Sequence, residues 1–278
     1  MVFLEVRMYP KGCARISSIS NRIAIAKRLS PVGGVIRQGE RWFLSEYAFG
    51  YSILEYANQS SLKHSRPSRV HWFENAPHFD GTDNAICDRQ LFYYSKSLKR
   101  LYALPLQHFK SRSSSSSSLP SSPPFDSKYP LRSISIPPFN STPKPMLYAH
   151  SLSLVDLESE YGHVWVLYRT DAFLKVIKLE CSTMVIIRQW TLREIYPKEL
   201  VNAFVACGFL YTITQESDKN VIHVVYDFDN DVYVKPSKQI GHWRRYGIGT
   251  PSNAQYDSIS KTINIFDSGL IHSIATKQ

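Results

Sequence analysis

Apolar residues fall along this chain in short aromatic-rich runs broken by polar turns, the pattern of strands rather than of helices. Five times an aromatic-rich run is followed by a polar turn and a second run. These are WFLSEYAFGYSILEY at 42–56, LFYYSKSLKRLYAL at 91–104, VWVLYRTDAFLKVIKL at 164–179, LYTITQESDKNVIHVVYDF at 210–228 and INIFDSGLIHSI at 263–274. Each predicts a β-hairpin, because two short aromatic and β-branched runs joined by a polar turn read as paired strands. The runs recur at similar spacing, except for one longer gap that holds a Ser/Pro tract. A hairpin sheet alone cannot bury its faces, so hairpins repeating every ~40–50 residues predict the blades of a β-propeller. Five units predict five blades. Upstream of the first hairpin, the strand pattern at 14–36 includes IAIA at 23–26. It is placed to complete the last blade and close the ring.

Composition supports strands. The chain has 278 residues, with 17 Tyr, 14 Phe and 5 Trp, and aromatic and β-branched residues fit pleated sheets. That length suits one large all-β domain or two ordinary ones. Residues 110–130, KSRSSSSSSLPSSPPFDSKYP, have almost nothing to bury. Such a tract cannot offset its ordering entropy. We read 107–147 as an irregular insertion in a single domain spanning 13–278, with 1–12 as an N-terminal extension. No apolar stretch of about 18 residues is present to span a bilayer. The start, MVFLEVRMYPKGC, lacks the pattern of a signal peptide. It fits an intracellular chain, a fragment of a larger secreted product, or a gene whose first exon is missing.

Net charge is +10. One reading is attraction to a polyanion such as nucleic acid, a sulfated glycan or an acidic membrane face. Lys235, Lys238, Arg244 and Arg245 are the candidate contacts. The other reading is a basic surface without a specific ligand, since HWRRY at 242–246 is the densest cluster. Nucleophile-elbow, zinc-protease, dinucleotide and phosphate-loop motifs are absent. DFDND at 227–231 starts like a calcium loop. That pattern then needs Gly and Glu where Val232 and Lys238 stand, so it predicts a hairpin turn. HFDGTDNAICD at 78–88 gathers one His and three Asp and reads as a turn before a strand. Asn58 and Asn140 lie in glycosylation sequons, with Pro143 beside the second. The cysteines are Cys13, Cys87, Cys181 and Cys207, without a CxxC pair. Counting them leaves the redox compartment open.

Several segments resemble the olfactomedin domain, a five-bladed propeller of secreted and cell-surface proteins. GHVWVLY at 162–168, after Val155-Asp156, is similar to that family's VDENGLWVIY. NAFVACGFLYTI at 202–213 is similar to its NAF-x-x-CG-x-LY motif. Asp83 to Leu106 resembles a GTG turn and the strands after it. FDSG at 266–269 resembles a late WDNG, and 41–56 the first hairpin. The resemblance covers roughly 13–275 outside the insertion. It implies a disulfide between Cys13 and Cys207, and it leaves Cys87 and Cys181 either free or paired. It implies no enzymatic activity, and extracellular or cell-surface protein partners in adhesion, matrix assembly or receptor–ligand signalling. Binding of sulfated glycans or nucleic acid is the first alternative, and a propeller hydrolase the second.

In many members of the family an Asn-Ala pair helps hold calcium in the central channel. This chain keeps it as Asn202 and Ala203. The family's two aspartates fall at Leu152, four residues before Asp156, and at Gln255. Calcium takes six to eight oxygens with carboxylates among them. The expectation is therefore a poor calcium site, no bound cofactor, and an Asn202 amide bonded to Gln255 or to nearby backbone, with Asp257 as the spare carboxylate.

Overall fold

In the computed structural model the described residues are 13–73, 75–106, 131–136, 146–170, 172–245 and 249–278. The N-terminal extension, Asn140 and most of the Ser/Pro insertion lie outside them. Among the described residues no helix is long and apolar enough to cross a membrane.

The five hairpins form the middle of five antiparallel four-stranded blades arranged as a β-propeller. Blade one has its inner strand at Gly34–Gln38 and ends at Arg69–Trp72. Blade two runs from Ala85–Cys87 to Arg132–Ser135. Blade three runs from Val155–Glu160 to Ile186–Leu192, and blade four from Asn202–Ala206 to Val232–Arg244. Blade five begins at Pro251–Asp257 and reaches Leu270–Lys277. One departure from expectation lies within the insertion. Arg132–Ser135 is the outer strand of blade two, paired with 100–103. Its short RSIS pattern is masked in the sequence by the flanking Ser/Pro tracts.

The outer edge of blade five comes from the far end of the chain. Ser18–Ile19 pairs with Lys277 and Thr276, and Ile23–Lys27 pairs along Ser273 to Leu270. The strands at 18–19 and 23–27 thus close the ring on the last strand. Ile16 is fully buried beside them, and its N–H donates to the Tyr211 hydroxyl at 2.8 Å. Tyr211→Phe leaves that buried N–H unpaired. It is expected to cost about 1–3 kcal/mol, measured as a lower urea midpoint at unchanged slope.

Hydrophobic packing follows the ring. Each of five buried clusters joins adjacent blades. Phe92 and Leu101 meet Val164 and Val166 between blades two and three. Trp165, Leu174 and Trp190 meet Val205 and Leu210 between three and four. Phe204 and Tyr211 meet Tyr256 and Ile263 between four and five. Trp42 and Leu44 meet Phe266 and Ile271 between five and one, and Phe43 meets Tyr93 between one and two. Every sheet therefore buries both faces, which explains aromatic runs longer than a one-sided sheet needs.

Two disulfides cross these interfaces. Cys13–Cys207 has a Cα–Cα distance of 5.5 Å and encloses 194 residue steps. Cys87–Cys181, left open by the sequence, joins blade two to the turn after Phe173–Glu180 of blade three, with Cα atoms 6.0 Å apart.

Candidate functional site

Five inner strands face the propeller axis, and the site begins with how one of them alternates. Along Val155–Glu160 every second side chain shares a face. Asp156, Glu158 and Glu160 are all buried. The turn before blade two adds a fourth buried carboxylate, Asp83, which is 2% exposed. Its Oδ1 accepts from Nδ2 of Asn253 at 3.2 Å and of Asn202 at 3.4 Å. Its Oδ2 accepts from the Thr82 hydroxyl at 3.3 Å. The turn itself is pinned by Ser153, whose hydroxyl accepts from the Thr82 N–H at 2.9 Å. The carbonyl of Asp83 takes the N–H of Leu157 at 3.1 Å, tying the turn to the inner strand of blade three.

Asp156 accepts from the Tyr148 hydroxyl at 2.5 Å through Oδ2. Its Oδ1, and Oε1 of Glu158, are buried without a hydrogen-bond partner. Among the described residues no lysine, arginine or histidine pairs with Asp83, Asp156 or Glu158. Burial, and then the neighbouring acids, push Asp156 and Glu158 well above the usual carboxylate range. Asp83 is pushed up to about 6 by burial, against the pull of its hydrogen bonds. Ionised carboxylates away from water are costly unless paired or bound to a metal. Two carboxylate oxygens here, Asp156 Oδ1 and Glu158 Oε1, lack a donor, and a cation held by Asp156 with Asn202 and Ala203 would supply the charge that the first of them lacks.

Glu160 acts differently. It accepts from the main-chain N–H of Cys207, and from that of Gly208 at 3.1 Å. Cys207 and Gly208 form the two-residue turn between 202–206 and 209–216, both with positive φ (+51° and +73°). Such a turn suits the twist of a tight hairpin, and glycine adopts it freely. Cys207 is held there by the disulfide on one side and the Glu160 carboxylate on the other. Within NAFVACGFLYTI at 202–213, then, the Cys207 sulfur is bonded to Cys13 and the Asn202 amide faces Asp83.

Several expectations need correction. Leu152 is 40% exposed and precedes the inner strand, so it occupies no channel position. Asp156 does. Counted back from Trp165, the Asp of VDENGLWVIY falls on Glu160, and the step of four lands on Asp156. The near-match of Val155-Asp156 to the VD pair had shifted the register. Of the two partners expected for Asn202, the backbone is found, its Oδ1 accepting from the Ala203 N–H at 2.9 Å, while its Nδ2 donates to Asp83 rather than to Gln255. Gln255 does lie on an inner strand, where its amide donates to the carbonyls of Asn84 and Leu157. Asp257 is no spare ligand, since it accepts from the N–H groups of Gly39 and Ser260 at 3.0 and 3.1 Å. Asp83 was read only as part of a turn. Its signal was an acid in GTD, where the resembling family has the second glycine of GTG.

Other clusters carry less. Among the described residues the groups of three acidic, histidine or cysteine side chains with the spacing of metal ligands are Cys13/Glu160/Cys207 and Cys87/Asp88/Cys181, and the axial acids are not one of them. Both contain a disulfide, whose sulfurs are not thiolates. DFDND is a turn as read, with Asp227 Oδ1 accepting from the N–H groups of Asp229 and Asn230 at 3.0 Å each. Of the basic candidates, Lys235 pairs with Glu194 at 2.7 Å and Arg244 with Asp218 at 3.3 Å. Arg245 donates to the Gly249 carbonyl at 3.0 Å. A 520 Å³ cavity between blades four and five is lined by Arg22, Asp218, Lys219, His242 and Arg244, so it holds a single carboxylate and no acid pair. Asn58 is exposed and caps a short helix, accepting from the Ser61 N–H at 2.9 Å.

An aromatic patch stands out at the edge of blade one. Tyr47, Phe49, Tyr51 and Trp72 are each at least half exposed. Phe49 lies 4.3 Å from the His78 ring and 5.8 Å from Tyr51, edge to face. Trp72 pairs across the strands with Ser52, next to Tyr51.

No curated protein matches the chain. Among solved structures a gluconolactonase from Xanthomonas campestris is similar, at 11% identity over 95% of this chain and 91% of that one, with a TM-score of 0.40. A likeness of that degree carries no functional argument. The family comparison is decisive: the model of the olfactomedin-like domain matches residues 9–275, nearly the whole propeller with its Cys13–Cys207 closure, and the chain belongs to that family.

Proposed function

We propose that this propeller is a non-enzymatic module that binds other proteins outside the cell or at its surface, in adhesion, matrix assembly or receptor–ligand signalling. The observation that carries the reading is the exposed aromatic patch of Tyr47, Phe49, Tyr51 and Trp72. Large rings left in water favour a protein partner, since aromatic side chains are enriched at the centres of interfaces. Two inter-blade disulfides support the extracellular setting, because such bonds persist in oxidising compartments. Burial of Asp83, Asp156 and Glu158 supports the absence of catalysis, because a substrate cannot reach them. The pairing of Lys235 with Glu194 and of Arg244 with Asp218 weighs against a dedicated polyanion surface.

The test uses the secreted domain and a Phe49→Ser/Trp72→Ser variant on intact cells. Wild-type binding is expected to survive heparinase treatment and to depend weakly on salt. The variant is expected to lose it while keeping its melting temperature. Binding that disappears with heparinase and falls steeply with salt would favour the polyanion reading instead.

A further inference from the structure

We propose that Cys13–Cys207 is a labile disulfide that opens by thiol–disulfide exchange with a dithiol protein, Glu160 giving its proton to the departing Cys207 sulfur. The proposal goes beyond the interaction reading and does not rest on it.

Access separates the two disulfides. Cys87 and Cys181 are buried, at 5% and 0% exposure. Cys207 is buried too, but Cys13 is half-buried. An attacking thiolate therefore reaches Cys13, and Cys207 is the sulfur that leaves. Loop entropy does not separate the bonds, since it changes only with the logarithm of length. The selectivity is kinetic.

The groups around the sulfurs suit exchange. The Tyr161 hydroxyl donates to Cys13 Sγ at 3.1 Å, and Nε2 of Gln278 donates to Cys207 Sγ at 3.1 Å. Hydrogen bonds strengthen when the acceptor becomes ionised, so both favour the thiolates that exchange produces. A carboxylate oxygen of Glu160 lies within 4.8 Å of both sulfurs. Burial pushes Glu160 up to about 7, so near neutral pH much of it holds a proton. The N–H groups of Cys207 and Gly208 satisfy the carboxylate that remains once that proton has gone. Lys178 of blade three lowers the proton affinity of Glu160, and Asp229 of blade four raises it. Tyr161, Tyr211 and Tyr256 are pushed up by burial and carry no charge near neutral pH, and Arg15 stands by Tyr211. His163 is pushed down by burial, and Glu158 lies two residues along the strand.

The exchange has two steps. A thiolate of the dithiol attacks Cys13 Sγ and forms a mixed disulfide. The bond to Cys207 breaks, its electron pair leaves on Cys207 Sγ, and that sulfur takes the Glu160 proton, which water later replaces. The second thiolate of the dithiol then attacks its own partner sulfur, and Cys13 leaves and is protonated by solvent. The dithiol ends oxidised to a disulfide, and Cys13 and Cys207 end as thiols. Opening frees the Cys13 end of the segment that forms the outer edge of blade five.

The experiment uses the chain expressed behind a signal peptide in a secreting host. Limiting dithiothreitol is added without denaturant between about pH 6 and 8. Free thiols are alkylated over time and the four cysteines are quantified by mass spectrometry, with rates divided by the reagent's thiolate fraction. Cys13 and Cys207 are expected to label roughly tenfold or more faster than Cys87 and Cys181, in a chain that stays folded. The corrected rate should fall as pH rises through about 7, because ionised Glu160 has no proton to give and repels the leaving thiolate. Glu160→Gln should lower the rate at pH 6 by roughly tenfold and flatten the profile. Tyr161→Phe should slow labelling and keep the profile. If Glu160→Gln does not fold, the pH step in wild type and in Tyr161→Phe decides. Equal rates for the two disulfides, opening only with global unfolding, or no fall in the wild-type rate through about pH 7 would overturn the proposal.

Discussion

Cys207→Ser is expected to lower the unfolding free energy by about 4–5 kcal/mol. The bridge to Cys13 encloses 194 residue steps, and the entropy of closing so long a loop is lost from the unfolded chain when the bond forms. A native-state contribution adds to this. Cys13 leads directly into Ile16 and the strands at 18–19 and 23–27, which supply the outer edge of blade five. Without the bridge, only their hydrogen bonds and the burial of Ile16, Ile25 and Ala26 hold that edge. Urea denaturation under non-reducing conditions measures the total. Hydrogen exchange at 270–277 measures the local effect, and we expect faster exchange there than in blade three. Removing Cys87–Cys181 provides the comparison. Its loop of 94 steps is shorter, but the entropy depends on the logarithm of length, so the global loss is similar. The exchange increase should then move to blades two and three. Equal exchange in all blades for both variants would contradict a ring closed at blade five.

Phe204→Ala is expected to cost about 3–5 kcal/mol. Phe204 is fully buried, stacks on Tyr211 with centroids 4.9 Å apart, and lies 6.4 Å from Tyr256 of blade five. It stands between two blades, so the cavity left by truncation is lined from both sides. Neither sheet can relax into it without leaving its other neighbour. Phe204→Leu keeps most of the volume and should recover more than half of the loss. Thermal or urea unfolding of the pair checks this. A loss below about 1 kcal/mol for the alanine variant, within the range of an ordinary surface change, would show that the interface between blades four and five is not close-packed as described.

Much of the fold was legible because a propeller repeats its physics. Each blade needs two central strands buried on both faces, and those strands write long aromatic and β-branched runs. The five hairpins at 42–56, 91–104, 164–179, 210–228 and 263–274 were visible for that reason. The closing strand was visible as IAIA, since Ile25 and Ala26 must face the core. Outer strands were harder to see. Arg132–Ser135 is half exposed and short, so its alternation does not rise above the serine around it.

The axis was less legible than the blades. Channel side chains converge from several inner strands, and convergence is not written in any local pattern. Asn202 and Gln255 were placed on the axis from motif alone. Asp156 was missed through a shift of four residues, although alternation from Glu160 through Glu158 would have marked it. Asp83 was missed because its turn lies far in sequence from Asn202 and Asn253, and only closure of the ring brings the three together. The Cys87–Cys181 pair was hidden for the same reason.

The most direct test is disulfide mapping of the chain expressed behind a signal peptide in a secreting host, digested without reduction and read by mass spectrometry. The account predicts two linked peptides, Cys13 with Cys207 and Cys87 with Cys181, and no free thiol. Free thiols at Cys13 and Cys207 in a folded product, or a swapped pairing such as Cys13 with Cys87, would contradict the ring closure on which the account depends.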